Sequence, residues 1–203
     1  MAPAAENLEN DVIIEMMEIY INAILYKRGL FPEAIFRARK AYNIPVYISI
    51  YKSLNEYIER TLLAARELKR NRKLDRLEVL IYHSEEKPNE SYVFDFEHKG
   101  LALEDDQSMI AFEEELRKSL LALDSRMKDL KPLPTDADAR FKIVLHTTES
   151  SFVKIGSNPR LQSFPFVKDT AAEDVMEKSK IQLLPVLHTS NVGIQIFVEE
   201  YGK

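Results

Sequence analysis

The residues able to do chemistry in this chain are few and scattered. Four histidines, His83, His98, His146 and His188, are too far apart in sequence for a paired metal-binding motif on one helix. The carboxylates Glu104, Asp105 and Asp106 could be drawn around a cation. At the start of an apolar-periodic segment, however, they read as a helix cap favoured by the dipole. With five glycines in 203 residues there is no Gly-x-Ser-x-Gly elbow and no Gly-x-x-x-x-Gly-Lys-Ser/Thr phosphate loop. With no cysteine there is no thiol nucleophile, thiolate zinc site, disulfide or iron–sulfur cluster. The expectation is a protein with no catalytic residue, no metal and no cofactor, and therefore not an enzyme.

Two kinds of binding chemistry remain. Arg66, Lys69, Arg70, Arg72, Lys73 and Arg76 form a basic run. From Lys27 to Arg76 there are 13 Lys and Arg against five Asp and Glu, a local excess of eight. Such a run could lie on phosphates, or it could be a solvated helix end whose cations suit the dipole. The run contains no aromatic and the chain no tryptophan, which argues against a platform for stacking single-stranded bases. The second kind is aromatic. Tyr57 stands at the edge of a helical stripe, and Phe166 follows a proline in an irregular stretch. Both suit a core, and both suit the walls of a peptide groove.

The elements that must position these residues can be read from periodicity. A helix is expected over 6–28, with Leu8, Val12, Met16, Ile19, Ala23 and Tyr26 on one face and Gly29 ending it. A short helical piece over 33–40 and an extended stretch over 43–50 follow. Ser53-Leu54-Asn55-Glu56 has the form of a capping box, opening a helix that buries Leu54, Ile58, Thr61, Leu62, Ala65 and Leu68. Strands at 74–83 and 91–98 form a hairpin with one buried face. A third helix spans 105–130 through Met109, Phe112, Leu116, Leu120, Leu123, Met127 and Leu130, and Pro132 and Pro134 stop it. A strand at 140–147 sets Phe141, Ile143 and Leu145 against Lys142, Val144 and His146. The remainder is rich in Ser, Pro and charge, with apolar clusters at 163–166 and 181–188, and ends in a strand at 192–201. This predicts one α+β domain, three helices on an antiparallel sheet, with a long irregular tail of the kind that often carries function.

At 45% hydrophobic and 30% charged, the chain can bury a substantial core, and a formal net charge of −5 disfavours nucleic-acid binding through overall charge. No apolar run approaches a membrane span, and the N-terminus lacks the pattern of a secretory signal. A soluble intracellular protein is expected.

Several segments resemble the HORMA-domain family, in its branch of accessory subunits of DNA polymerase zeta. They are AILYKRGLFPEAIF, KAYNIPV, LNEYIERTL, FKIVLHT, SFPF, LLPV and IQIFVEE, spread over about residues 10–201. The resemblance implies a single HORMA domain over 1–203, with a core at 6–147 and a safety belt at 148–203 that clasps a proline-containing peptide. It implies a non-catalytic adaptor of translesion synthesis in the nucleus, with the cytoplasm as a second compartment. The implied partners are the catalytic subunit of DNA polymerase zeta and the C-terminal domain of the scaffold deoxycytidyl transferase. A homodimer or HORMA heterodimer and a remodelling AAA+ ATPase complete the set; no membrane is involved, and DNA contact is indirect. Carried over by position, Tyr57 and Phe166 line the peptide groove, and Leu183, Gln195 and Phe197 meet the second partner. Arg117 occupies the centre of a dimer face. Phe166 and Phe197 stand where the family pattern has tryptophan and tyrosine. Ala38 and Ala122 replace basic residues around the dimer face, and Lys128 replaces a small one. The rival readings are a spindle-checkpoint HORMA adaptor and a direct nucleic-acid binder using 66–76.

Overall fold

The computed structural model describes residues 3–83, 88–97, 106–133, 139–161, 166–168, 181–189 and 194–201, of which 3–9, 106, 108, 109 and 181–189 are described through their backbone. The expected cap at Asp105 or Asp106, the side chains of Leu8, Met109 and Leu183, and the cluster at 163–165 lie outside these.

Helix α1 (Pro3–Lys27) is the axis of the molecule. Ile13, Met16, Met17, Tyr20, Ile21, Ile24 and Leu25 are all buried. The single stripe expected from the sequence is therefore too narrow: Val12, Ala23 and Tyr26 are only partly buried. A helix that is apolar around most of its circumference needs partners on several sides. Here α2, β2 and α3 all pack on α1. Gly29 ends it as the sequence predicts, at φ 66, while Leu30 donates its amide to the Leu25 carbonyl at 3.2 Å.

The helical piece expected at 33–40 is corrected. One 3-10 turn, Glu33–Ile35, gives way to β1 (Phe36–Ala41), which pairs antiparallel with β2 (Ile44–Ser49) as a separate two-stranded sheet. Tyr42 and Asn43 both take positive φ (48 and 62), the twist a two-residue hairpin turn requires, and this draws 36–41 into a ladder. Tyr47 stacks on Tyr26 at 3.9 Å and fixes the hairpin to α1.

Helix α2 (Lys52–Arg70) buries Leu54, Ile58, Thr61, Leu62, Ala65 and Leu68 as expected. Each fully buried Leu or Ile contributes about 1.5–3 kcal/mol. The capping box does not form. Tyr51 is the N-cap and makes no side-chain cap bond, while the Asn55 amide donates to the Ser49 carbonyl and the Ser49 hydroxyl accepts from the Tyr51 amide.

Strands β3 (Arg76–His83), β4 (Pro88–Phe96), β5 (Ala139–His146), β6 (Ile181–Thr189) and β7 (Ile194–Tyr201) form one antiparallel sheet in the order β5-β3-β4-β7-β6. Helix α3 (Asp106–Asp129) buries Phe112, Leu116, Leu120, Leu123 and Met127 in the core. A fourth helix, α4 (Glu149–Gly156), lies in the stretch read as irregular, so the expected three helices become four among the described residues. The β3–β4 hairpin is buried on both faces rather than one: Leu77, Val79, Tyr92 and Phe94 on one side, Glu78, Leu80, Ser91 and Val93 on the other. Both strands are interior to the sheet, so neither has an edge in water.

Among the described residues no helix is long and apolar enough to cross a membrane.

Candidate functional site: an open sheet edge and the opposite hairpin

Strand β5 pairs with β3 on one side and, among the described residues, with nothing on the other. Its register sets Ile143 opposite Val79 and Lys142 opposite Leu80. Ile143 donates its amide not to β3 but to the hydroxyl of Tyr57, at 3.0 Å. Backbone groups alternate along an antiparallel strand, so those of Phe141 and Leu145 also face the open side. The edge is thus a row of main-chain donors and acceptors, the template for an added strand.

The inner wall of this edge is aromatic. Tyr57 on α2 meets the ring of Phe141 edge-on at 5.6 Å, and Phe31 meets the same ring at 5.9 Å. Tyr57 sits between Leu54 and Thr61 on the rim of the buried face of α2, and its carbonyl accepts from the Thr61 hydroxyl at 2.9 Å. Burial pushes its phenol above the ordinary value, with the Ile143 amide and the charge of Lys142 working the other way. Phe166 is partly buried and packs against the hydrophobic core.

After β5 the chain re-enters the sheet at β6, at the opposite edge. Four strand spacings, about 19 Å, separate the two. Strands β5 and β6, consecutive in the order of the chain, are therefore the two outer strands of the sheet.

The hairpin β6–β7 docks on β4 through β7, with Gln195 opposite Asp95 and Phe197 opposite Val93. Leu183 takes the register position opposite Glu199 on the same hairpin. Gln195 and Phe197 are partly buried, and the Arg76 guanidinium lies 5.9 Å from the centre of the Phe197 ring. Arg76 in turn holds Asp95 through Nε at 2.5 Å and Nη2 at 3.1 Å, and Glu78 through Nη1 at 3.2 Å. The His146 imidazole is 3.4 Å from the same Glu78 oxygen. Burial alone would raise the Glu78 carboxyl, but His146 and Arg76 together hold it below its ordinary value. This polar chain joins the end of the open edge to the hairpin. It was not anticipated; its only sequence signal is a glutamate inside an apolar strand.

Arg117 is placed by α3 beneath the β1–β2 turn, where its Nε donates to the Tyr42 carbonyl at 3.0 Å. Of the basic run, Arg66 pairs with Asp11, Arg70 with Glu67 at 3.1 Å, and Arg76 with Asp95 and Glu78. The sequence thus named Tyr57 but missed its partners Phe31, Phe141 and the Ile143 amide, which a strand pattern alone cannot mark as an open edge. Among the described residues no three His, Asp or Glu side chains gather where they could hold a metal ion.

Comparison with known proteins agrees with this architecture. The HORMA domain family matches residues 10–153. DNA polymerase zeta subunit 2 of Drosophila melanogaster is 32% identical over 94% of this chain and 96% of its own length. The human mitotic spindle assembly checkpoint protein MAD2B is 26% identical over 94% of this chain and 90% of its own length. A chain in the crystal structure of the mitotic checkpoint complex superposes with a TM-score of 0.74 at 15% identity, covering 97% of both chains. Caenorhabditis elegans HTP-2 bound to the HIM-3 closure motif gives 0.67 at 13% identity, over 94% of this chain and 89% of that one.

Proposed function

Because the chain belongs to the HORMA family, we propose that it is a non-catalytic adaptor of translesion DNA synthesis, holding a strand of the catalytic subunit of DNA polymerase zeta along the outer side of β5. The observation that carries this is the pairing of an open edge at β5 with a hairpin docked on the far edge of the same sheet. The connecting chain must then pass across the molecule, and residues 148–203 act as the belt over the guest while 6–147 form the body. Tyr57, on the rim of that edge, and Phe166 line the groove; main-chain pairing supplies affinity and side-chain pockets supply selectivity. A guest held beneath a closed belt leaves only when the belt opens, so tight binding is expressed in a slow off-rate.

On the same reading Leu183, Gln195 and Phe197 present the docked hairpin to the C-terminal domain of the scaffold deoxycytidyl transferase. An AAA+ ATPase would reopen the belt, and the protein would act in the nucleus. A peptide from a polymerase zeta catalytic chain, titrated by fluorescence anisotropy, should form a stable complex; no binding at micromolar concentration rejects the proposal. Phe166→Ala should weaken that complex by at least about 1 kcal/mol, and an unchanged affinity removes Phe166 from the groove. The names of the vertebrate relatives favour a second reading, a spindle-checkpoint adaptor. Binding of an anaphase-activator peptide in place of the polymerase peptide would select it.

A further inference from the structure

The sheet face turned away from the helices buries more acid than it neutralises. Glu199 on β7 is 6% exposed. Its register neighbours are Ser91 on β4 and Leu183 on β6, and Ser91 lies in turn opposite Leu80 on β3. The Glu199 carboxylate accepts a hydrogen bond from the Tyr201 hydroxyl at 2.8 Å, and among the described residues no Lys, Arg or His forms an ion pair with it. Two more carboxylates act on it across the strands, Glu78 and Asp95. The cation within range, Arg76, is already bonded to both of them and lies over the Phe197 ring. On β5, His146 stands beside Glu78, while Lys142 is opposite Leu80 and over the Tyr82 ring. An acid buried in this setting has no partner of its own for its charge.

We infer that Glu199 is a proton-operated catch on the C-terminal hairpin: β6–β7 lies firmly on β4 while this carboxyl is neutral and loosens when it ionises. Strand β6 pairs with β7 and β7 with β4, so within the sheet the hairpin is held by the ladder that carries Glu199; α3 also contacts β6. Burial raises the Glu199 carboxyl above its ordinary value, the Tyr201 bond and Arg76 oppose this, and Glu78 and Asp95 add to it. An opened hairpin returns the group to water and to its ordinary value. The docked form therefore binds more protons between the two values. Its extra hold is complete below the ordinary carboxylate range and is lost as pH rises through the raised value. Glu78 has the opposite sign and loses its contribution only below the ordinary range. Glu90 is raised too, but it alternates with Ser91 onto the other face, where Arg28 pairs with it. Opening the hairpin bares the backbone of β4 as a second open edge. The inference is read on the free chain and stands apart from the guest-strand reading.

The test is amide hydrogen exchange on the full chain, each amide corrected for its intrinsic rate at each pH, reading the opening of β7 against that of β3. In wild type the protection of β7 should fall roughly three- to tenfold between the ordinary carboxylate range and neutral pH, while β3 holds. E199Q cannot ionise, so its β7 protection should stay high and flat across the same range. Y201F removes a bond that favours the charged form, so the fall should move to higher pH. H146N should keep the wild-type trend. Persistence of the fall in E199Q overturns the inference, and so does its loss in H146N, which would make the imidazole the sensor. An equal fall in β3 and β7 assigns the effect to the whole fold and also overturns it. Should E199Q fold poorly, Y201F decides alone: a fall at the wild-type pH, or at a lower one, rejects Glu199 as the catch.

Discussion

The phenolic oxygen of Tyr57 accepts the outward amide of Ile143 at 3.0 Å, so a side chain from α2 occupies a main-chain donor of the open strand. A guest pairing along β5 must take that amide itself. Replacing Tyr57 with Phe removes the acceptor and keeps the ring against Phe141. The expected loss of stability in the free protein is about 1 kcal/mol, with faster hydrogen exchange at the Ile143 amide and guest affinity no weaker than wild type. Tyr57→Ala also removes the aromatic wall and should weaken the guest complex. Urea titration, amide exchange and peptide anisotropy separate the two variants; a Phe variant that binds guest as poorly as the Ala variant would show that the hydroxyl contacts the guest.

Glu78 is 1% exposed and held between Arg76 and His146. Its carboxyl lies below the ordinary value in the folded protein, so below that value the unfolded chain binds more protons than the folded one. Its contribution to stability is present above the ordinary carboxylate range and is lost as pH falls through the depressed folded value. Glu78→Gln should therefore be less stable than wild type at neutral pH, with the difference narrowing on acidification. Urea midpoints at neutral and acid pH measure this; a gap that stays constant would mean the ion pairs do not hold the charge.

Arg28 and Glu90 form a second buried pair, with side chains 7% and 2% exposed. Arg28 Nε donates to Glu90 at 2.9 Å, and Nη2 also reaches the Lys131 carbonyl at 2.7 Å, tying the end of α1 to β4 and to the exit of α3. Removing one partner strands the other charge, so Arg28→Ala should cost about 3–5 kcal/mol. Burial already raises the Glu90 carboxyl, with Arg28 opposing it. Without Arg28 the folded protein should hold that proton to higher pH, and the variant should recover stability as pH falls. Equal destabilisation at acid and alkaline pH would refute this account.

Local signals explain what the sequence disclosed. The apolar faces of α2 and α3, the Gly29 stop and the two faces of β5 each follow from spacing within one element, and the structure reproduces them. The errors arise where distant partners decide. The 33–40 stretch has helix-forming residues, but its pairing with 44–49 converts most of it to strand. Ser53 could cap α2, yet Ser49 and Asn55 already organise the helix start from the preceding strand. Glu78 looks like an outward residue until its neighbours on β3 and β5 enclose it. Tyr57 was visible as a residue on a rim, whereas the open edge it caps is a property of strand order.

Strand order has no bearing on α3, where Ile110 and Leu121 are 60% and 59% exposed and lie on one helical side with Arg117 between them. Two exposed aliphatic residues flanking a cation suit a helix that pairs with another copy, but Arg117 also spends its Nε on the Tyr42 carbonyl. Truncating Arg117 therefore disturbs the β1–β2 hairpin as well as the face, whereas Leu121→Glu alters the face alone. If pairing runs through α3, wild type should show a concentration-dependent dimer in sedimentation velocity that both R117A and L121E abolish. Loss of the dimer in R117A with L121E unaffected would assign the effect to the hairpin. A wild type that stays monomeric at every concentration would remove α3 as a pairing surface and leave Arg117 as the pin of the Tyr42 turn.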